Sequence, residues 1–184
     1  MKSYLITDPS CYSDLSSFQD YLQKAFAKQP HYAAFRDKKN KDILPYAKEF
    51  LAIGRQKGIS KLLLNKEWRL AATLGYDGVH LTSEQFHEIA DAKAKGLFIF
   101  ISTHTIEEGI KAAKEGADAV TISPIFVSPG KGEPKGMEYL TRYLETIKPL
   151  GVEVFALGGV VSRKQIALLQ ENAVDGFASI RYFI

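Results

Sequence analysis

Short apolar runs and longer amphipathic stretches alternate along the chain at nearly constant spacing. Runs rich in β-branched and aromatic residues predict strands at Tyr4–Thr7, Tyr32–Arg36, Lys61–Asn65, Gly78–Leu81, Leu97–Ser102, Ala119–Ser123, Val152–Leu157 and Gly176–Ile180. Between them, apolar residues recur with helical period over Leu15–Ala27, Pro45–Lys57, Trp68–Leu74, Glu84–Lys95, Ile106–Glu115, Met137–Ile147 and Arg163–Glu171. Gly58, Gly75, Gly96, Gly116 and Gly151 stand where a glycine would stop a helix before the next strand. Ser83 and Ser162 suit N-caps, because a hydroxyl can accept from the free amides of a first turn.

This alternation predicts parallel β/α units, and the strand count fits an α/β (β/α)8 TIM barrel, with an open doubly wound sheet as the alternative. No Pro/Ser-rich linker interrupts the pattern, so residues 1–184 read as one domain. The barrel is short, and the sequence stops just after the eighth strand, with no residues for the usual last helix. The outer face of that strand would be bare unless a partner subunit of a homo-oligomer, or a neighbouring helix, covers it.

The composition, 46% hydrophobic and 24% charged, supports a packed domain over a disordered chain. A net charge of +3 is too small to imply nucleic acid but accommodates an anionic small molecule. Cys11 is the only cysteine, which removes internal disulfides and cysteine-based metal sites. No apolar run suits a signal peptide or a membrane span, so a cytoplasmic location without a membrane partner is expected.

In a β/α barrel the C-terminal ends of the strands converge on one mouth. Here those ends carry Arg36 and Lys38, Asn65 and Lys66, His80, Ser102 and His104, Lys131 in the long loop after strand six, Gly158-Gly159, and Ser179 with Arg181. Cations and small hydroxyls suit a phosphate ester, since Arg offers a planar fork for two oxygens and Lys a mobile charge. Gly158 and Gly159 admit close approach to their amides beside a helix N-terminus. His80 and His104 are the histidines nearest the mouth and the candidates for proton transfer, although His80 within a strand equally suits a structural role. No metal-binding His pair, P-loop, dinucleotide fingerprint or Gly-x-Ser-x-Gly elbow is present.

The segments "YLITD", "FRDK", "LLLN", "GYDGVHL", "ISTHTIEEGIKAAKEGADAVTISPIF", "ALGGV" and "DGFA" occur in an order that resembles the thiamine phosphate synthase family and its TenI-like relatives, over nearly the whole chain. The resemblance implies a (β/α)8 barrel of thiamine metabolism. In the synthase, a pyrimidine pyrophosphate loses pyrophosphate with magnesium assisting, and the nitrogen of a thiazole phosphate captures the resulting carbocation. TenI-like members include a tautomerase of thiazole phosphate. Arg36, Lys38, Asn65, Ser102 and Lys131 match the family's pyrophosphate and pyrimidine residues, and Gly158-Gly159 matches its thiazole phosphate turn.

The departures concern the metal. The family's aspartate after Asn65 is here Lys66, and its second metal aspartate aligns with Gln85, beside Glu84. Its pyrimidine-reading glutamine is Ala34, its strand-eight serine is Arg181, and Pro124 occupies the place of the TenI-type histidine. An ammonium at about 4 Å repels a divalent ion by several kcal/mol at an effective dielectric near 20. The expectation is therefore no metal and no cofactor, magnesium being required only under the synthase reading. A TenI-like isomerase binding a thiazole phosphate-type ester comes first. An active synthase and a non-catalytic phosphate-ester-binding regulator are the alternatives.

Overall fold

A computed structural model describes residues 1–184. Eight parallel strands close in chain order into a barrel: β1 (Lys2–Ile6), β2 (Tyr32–Phe35), β3 (Lys61–Asn65), β4 (Gly78–Leu81), β5 (Phe98–Thr103), β6 (Ala119–Ile122), β7 (Glu153–Leu157) and β8 (Gly176–Ser179). The connecting helices are α1 (Leu15–Phe26), α2 (Leu44–Gln56), α3 (Trp68–Leu74), α4 (Ile89–Ala94), α5 (Ile106–Glu115), α6 (Gly136–Ile147) and α7 (Arg163–Glu171). The barrel therefore replaces the open-sheet alternative. No helix is long and apolar enough to cross a membrane.

Strand alternation divides the core in two. Tyr4, Tyr32, Leu63, Phe100 and Phe155 point inward and fill the barrel, while residues such as Leu5, Leu62, Val79, Ile101 and Val154 point outward against the helices. The interior is crowded with rings: Tyr4 stacks on Phe100 at 4.7 Å between centroids, and Phe155 meets Phe100 edge-on at 5.0 Å. Gly176 leaves the room that Phe155 takes, since a Cβ there would lie 2.2 Å from the Phe155 ring.

A repeated clasp closes the N-terminal end of the barrel. Asp77, Asp118 and Asp175 immediately precede β4, β6 and β8, and each accepts the amide of a residue on the preceding strand: Leu62 at 2.7 Å, Ile99 at 2.8 Å and Val154 at 2.9 Å. Each also pairs with a cation from the helical segment that leads into that neighbouring strand, namely Arg55, Lys93 and Lys148, at 2.8, 2.9 and 3.0 Å. These carboxylates serve register, which leaves the opposite end to chemistry.

Three expectations need correction. Ser83 caps nothing: the predicted helix 84–95 splits into a short 3-10 turn at Phe86–Glu88 followed by α4, and neither is capped by a side chain. Ser162 does cap α7, in a capping box with Gln165. The outer face of β8 is not bare, because Arg181–Phe183 form a 3-10 turn that folds back, burying Phe183 against Phe177 at 6.2 Å. Lys28, just after α1, donates to the Tyr182 carbonyl at 2.6 Å and pins that turn. Truncating Phe183 to alanine is expected to lower stability by about 3 kcal/mol, measurable by chemical denaturation.

Candidate functional site

Arg36 follows β2 and is set by its backbone. Its amide donates to Thr7 Oγ1 at 2.8 Å, and the Thr7 hydroxyl donates back to the Arg36 carbonyl at 3.0 Å. The neighbouring Asp37 lines the same pocket as Lys38 and Lys66, but its oxygens are taken up by its own loop. It takes the Tyr12 hydroxyl at 2.8 Å and the amides of Lys39 and Asn40, so it shapes its loop and forms no ion pair with Arg36 or Lys38. Burial opposes its ionisation, but the bonds from Asn40, Tyr12 and Lys39 prevail and hold its carboxyl below the usual value.

Asn65 ends β3 and donates its side-chain amide to the His80 carbonyl at 3.0 Å. The Lys66 amide donates to that same carbonyl at 2.9 Å. Lys66 adopts φ 68°, the left-handed region that costs a side-chain-bearing residue about 1 kcal/mol. Its carbonyl accepts from Trp68 N at 3.0 Å and from Gln85 Nε2 at 3.2 Å, which fixes the turn. A strained lysine where glycine would rest easily points to use of its side chain. Lys66, Lys38 and Asn65 line one pocket of about 380 Å³.

Lys38 sits close enough to Arg36, Lys66 and Lys131 to feel their charge. The Lys38 ammonium is held below its ordinary pKa first by the charge of Arg36, then by desolvation, then by Lys66 and Lys131. None of the four is in an ion pair within the chain. A lysine crowded by other cations, none of the four ion-paired, suits the neighbourhood of a highly charged anion.

A second pocket, of about 270 Å³, opens between the ends of β7 and β8 and the β6–α6 loop, lined by Gly158, Gly159, Ser179, Arg181, Lys131 and Ser128. Gly158 and Gly159 have φ values of 95° and 72°, and a Cβ on Gly159 would lie 2.4 Å from the Val127 carbonyl oxygen. The amides of Gly158, Gly159 and Val160 donate to nothing in the chain, and α7 begins just beyond them. Arg181 is exposed at the rim. Ser179 is placed differently from expectation: its hydroxyl is spent on the Val160 carbonyl at 2.7 Å and it accepts from Tyr182 N at 3.1 Å, so it orders the pocket wall. Lys131 lines this pocket and also acts on Lys38, so it lies between the two anion sites.

The two histidines part company. His80 is buried inside the barrel, with Nδ1 2.6 Å from the Tyr4 hydroxyl and Nε2 3.0 Å from Ser102 Oγ. Burial first, and the Arg36 charge second, push its pKa down to about 3, so it is neutral at pH 7. It lacks the near-neutral titration wanted of a general base. His104 is exposed, and Nδ1 lies 3.2 Å from the Ser123 carbonyl, which makes Nδ1 the donor and leaves Nε2 open. Ser102 is half-buried at the mouth. The residue missed in the sequence was Tyr4, whose signal was a polar tip at an inward-facing position two residues before Ile6.

The donors around Lys66 do not suit magnesium, which takes oxygen ligands. Lys66 offers only N–H, and no group of three His, Cys, Asp or Glu side chains converges anywhere. The Gln85 amide is occupied: Oε1 accepts from Thr82 N at 3.1 Å, and Nε2 donates to Lys66 and Glu88.

Fold and site together define a (β/α)8 barrel protein with two cation-bearing pockets on one mouth. The profile of the family described as thiamine monophosphate synthase matches residues 3–183, and the chain belongs to that family. A candidate thiamine-phosphate synthase 2 of Aquifex aeolicus is 32% identical over 98% of this chain and 96% of its own. The thiamine-phosphate synthase of Thermus thermophilus is 30% identical over 85% of this chain and 77% of its own. Among solved structures, a thiamine phosphate pyrophosphorylase from Pyrococcus furiosus superposes with a TM-score of 0.79 at 25% identity, over 97% of this chain and 85% of that one. These relatives carry the synthase name, so they support the transferase alternative rather than the isomerase placed first from sequence.

Two outcomes test this geometry. Lys66→Gly is expected to raise stability by up to about 1 kcal/mol, by relieving the left-handed turn, while weakening pyrophosphate binding in calorimetry. The depressed pKa of His80 means the folded chain binds fewer protons than the unfolded one between the ordinary imidazole value, 6.5, and about 3. Its contribution is therefore intact above about pH 6.5 and lost as pH falls through that window, up to about 5 kcal/mol. Urea midpoints of the wild type should fall more steeply from pH 7 to 4 than those of His80→Gln.

Proposed function

We propose that this chain is a thiamine-phosphate synthase-type transferase that joins a pyrimidine pyrophosphate to a thiazole phosphate without a divalent metal. The observation that carries the reading is the pairing of a pocket lined by Lys38, Asn65 and Lys66, whose Lys38 also feels Arg36 and Lys131, with a separate glycine-turn pocket on the same mouth. A tautomerase or a one-ligand sensor has use for only one of these.

The chemistry fits the residues available. The bond from the pyrimidine's methylene carbon to the pyrophosphate oxygen breaks, and the pyrophosphate leaves with the electron pair. The thiazole nitrogen then gives its lone pair to the carbon. No proton moves in either step, so the site needs no acid or base near neutral pKa. It needs stabilisation of charge on the leaving group, and preorganised cations provide this. Arg36, Lys38, Lys66 and Lys131 surround that group in this reading, with Lys66 supplying positive charge where the family pattern keeps a metal carboxylate. Gly158, Gly159 and Arg181 hold the thiazole phosphate, and Lys131 bridges the two.

His104, with Nε2 open at the mouth, favours a second reading: an isomerase that takes a proton from a thiazole phosphate ester.

Both substrates supplied together, with pyrophosphate release followed in the presence of EDTA, should give turnover. Lys66→Ala should lower kcat roughly a hundredfold, and Lys66→Asp with Gln85→Asp should make activity respond to Mg2+. Turnover by the wild type only when Mg2+ is added would sink the metal-free mechanism. If the two-substrate assay is silent while a thiazole tautomer is aromatised in a His104-dependent way, the isomerase reading replaces it.

A further inference from the structure

We infer that Tyr4, His80 and Ser102 form a one-way hydrogen-bond relay that makes the Ser102 hydroxyl an outward donor, with Tyr4 and His80 as positioning residues for it. The serving of a pyrimidine pyrophosphate by that donor rests on the function proposed above; the relay itself does not.

The direction follows from counting protons. Tyr4 is wholly buried among Phe100, Phe155 and Tyr32, and the only hydrogen-bond partner of its hydroxyl is His80 Nδ1, at 2.6 Å. Were Nδ1 to carry the proton and donate to the Tyr4 oxygen, the phenolic hydrogen would be stranded in an aromatic interior at its full desolvation cost. Tyr4 therefore donates to Nδ1, and the single proton of the neutral ring sits on Nε2. Nε2 lies 3.0 Å from Ser102 Oγ and donates to it. A hydroxyl that accepts from the ring keeps its own hydrogen for another acceptor, and Ser102 is half-buried at the mouth.

The surroundings hold the ring to this task. His80 is stacked with Tyr4 and Phe100 at 5.6 and 5.0 Å between centroids, which prevents it from turning over. The charged group that acts on it is Arg36, which disfavours imidazolium and so preserves the neutral tautomer. Its backbone carbonyl also fixes the Asn65 side chain and the Lys66 amide, so one residue orders a donor and a cation. Thr121, opposite Ser102 in the β5–β6 register, is fully buried, and its Oγ1 has no partner in the chain. A ligand's acceptor atom, such as a ring nitrogen or a phosphate oxygen, is the complement of the Ser102 donor.

The direct test is 15N NMR of histidine-labelled wild-type protein at pH 7. His80 should show a protonated Nε2 and a pyridine-type Nδ1, and Tyr4→Phe should shift it towards the other tautomer or a mixture. A wild-type ring protonated at Nδ1 overturns the relay.

The kinetic arm uses the pyrimidine pyrophosphate with a thiazole phosphate. Tyr4→Phe and Ser102→Ala should each raise KM for the pyrimidine pyrophosphate roughly threefold to tenfold, with a smaller effect on kcat. The double variant should be no worse than Ser102→Ala alone, because both act through one hydroxyl. Losses that multiply in the double variant, or wild-type KM in Tyr4→Phe, reject it. If the wild type turns over nothing, the proposed function fails while the tautomer measurement still decides the relay.

Discussion

A neutral imidazole locked in an aromatic barrel interior is the constraint on which this site depends. His80 is held by Tyr4 on one nitrogen and Ser102 on the other, and its carbonyl receives both the Asn65 side chain and the Lys66 amide. Strands β1, β3, β4 and β5 are thus tied at the level where the mouth begins. Removing that side chain would do more than open a cavity, because buried polar groups on two strands would lose their partners together. The polar tier is supported from below by Phe100 and Phe155, and Phe155 in turn depends on the space left by Gly176.

The division of labour between the two ends of the barrel follows from where carboxylates are spent. Asp77, Asp118 and Asp175 are committed to strand amides and helix cations at the N-terminal end, and Asp37 is committed to its own loop. The mouth is left with cations in excess. Arg36, Lys66 and Lys131 all repel Lys38, and the strained backbone of Lys66 adds to the cost. An arrangement unfavourable by itself and favourable with a polyanion present makes binding energy available to the ligand that relieves it.

Under the proposed function, the divalent ion that the family resemblance implies and the cations here would address one problem in two ways. A leaving pyrophosphate needs positive charge beside it, whether that charge arrives on a metal held by carboxylates or on an ammonium tethered to the chain. The substitution at residue 66 reverses the sign of a side chain and so changes what the neighbouring turn must hold. Gln85, which the resemblance aligns with a second metal ligand, is a brace that holds Thr82, Lys66 and Glu88 together. Both changes run in the same direction.

Strand and helix order, the barrel closure and the residues of the mouth were legible in the sequence, because β/α alternation puts strand C-termini in one place whatever the details. Lys66 beside Asn65 and the Gly158-Gly159 pair were readable for the same reason. The tail was not: whether Phe183 packs on Phe177 or leaves β8 bare depends on contacts between residues distant from it, Lys28 among them. Ser83 fails as a cap because the chain enters a 3-10 turn first, and Ser179 lends its hydroxyl to the wall because alternation turns it away from the lumen. The role of His80 lay furthest out of reach. Periodicity could place it on an inward face, but its protonation state and partners are set by Tyr4, 76 residues earlier, and Ser102, 22 residues later. The sequence by itself determined the barrel and the charge at its mouth. Only the tertiary structure decided which polar groups are free for a ligand, because a hydrogen bond takes its partner from space rather than from chain order.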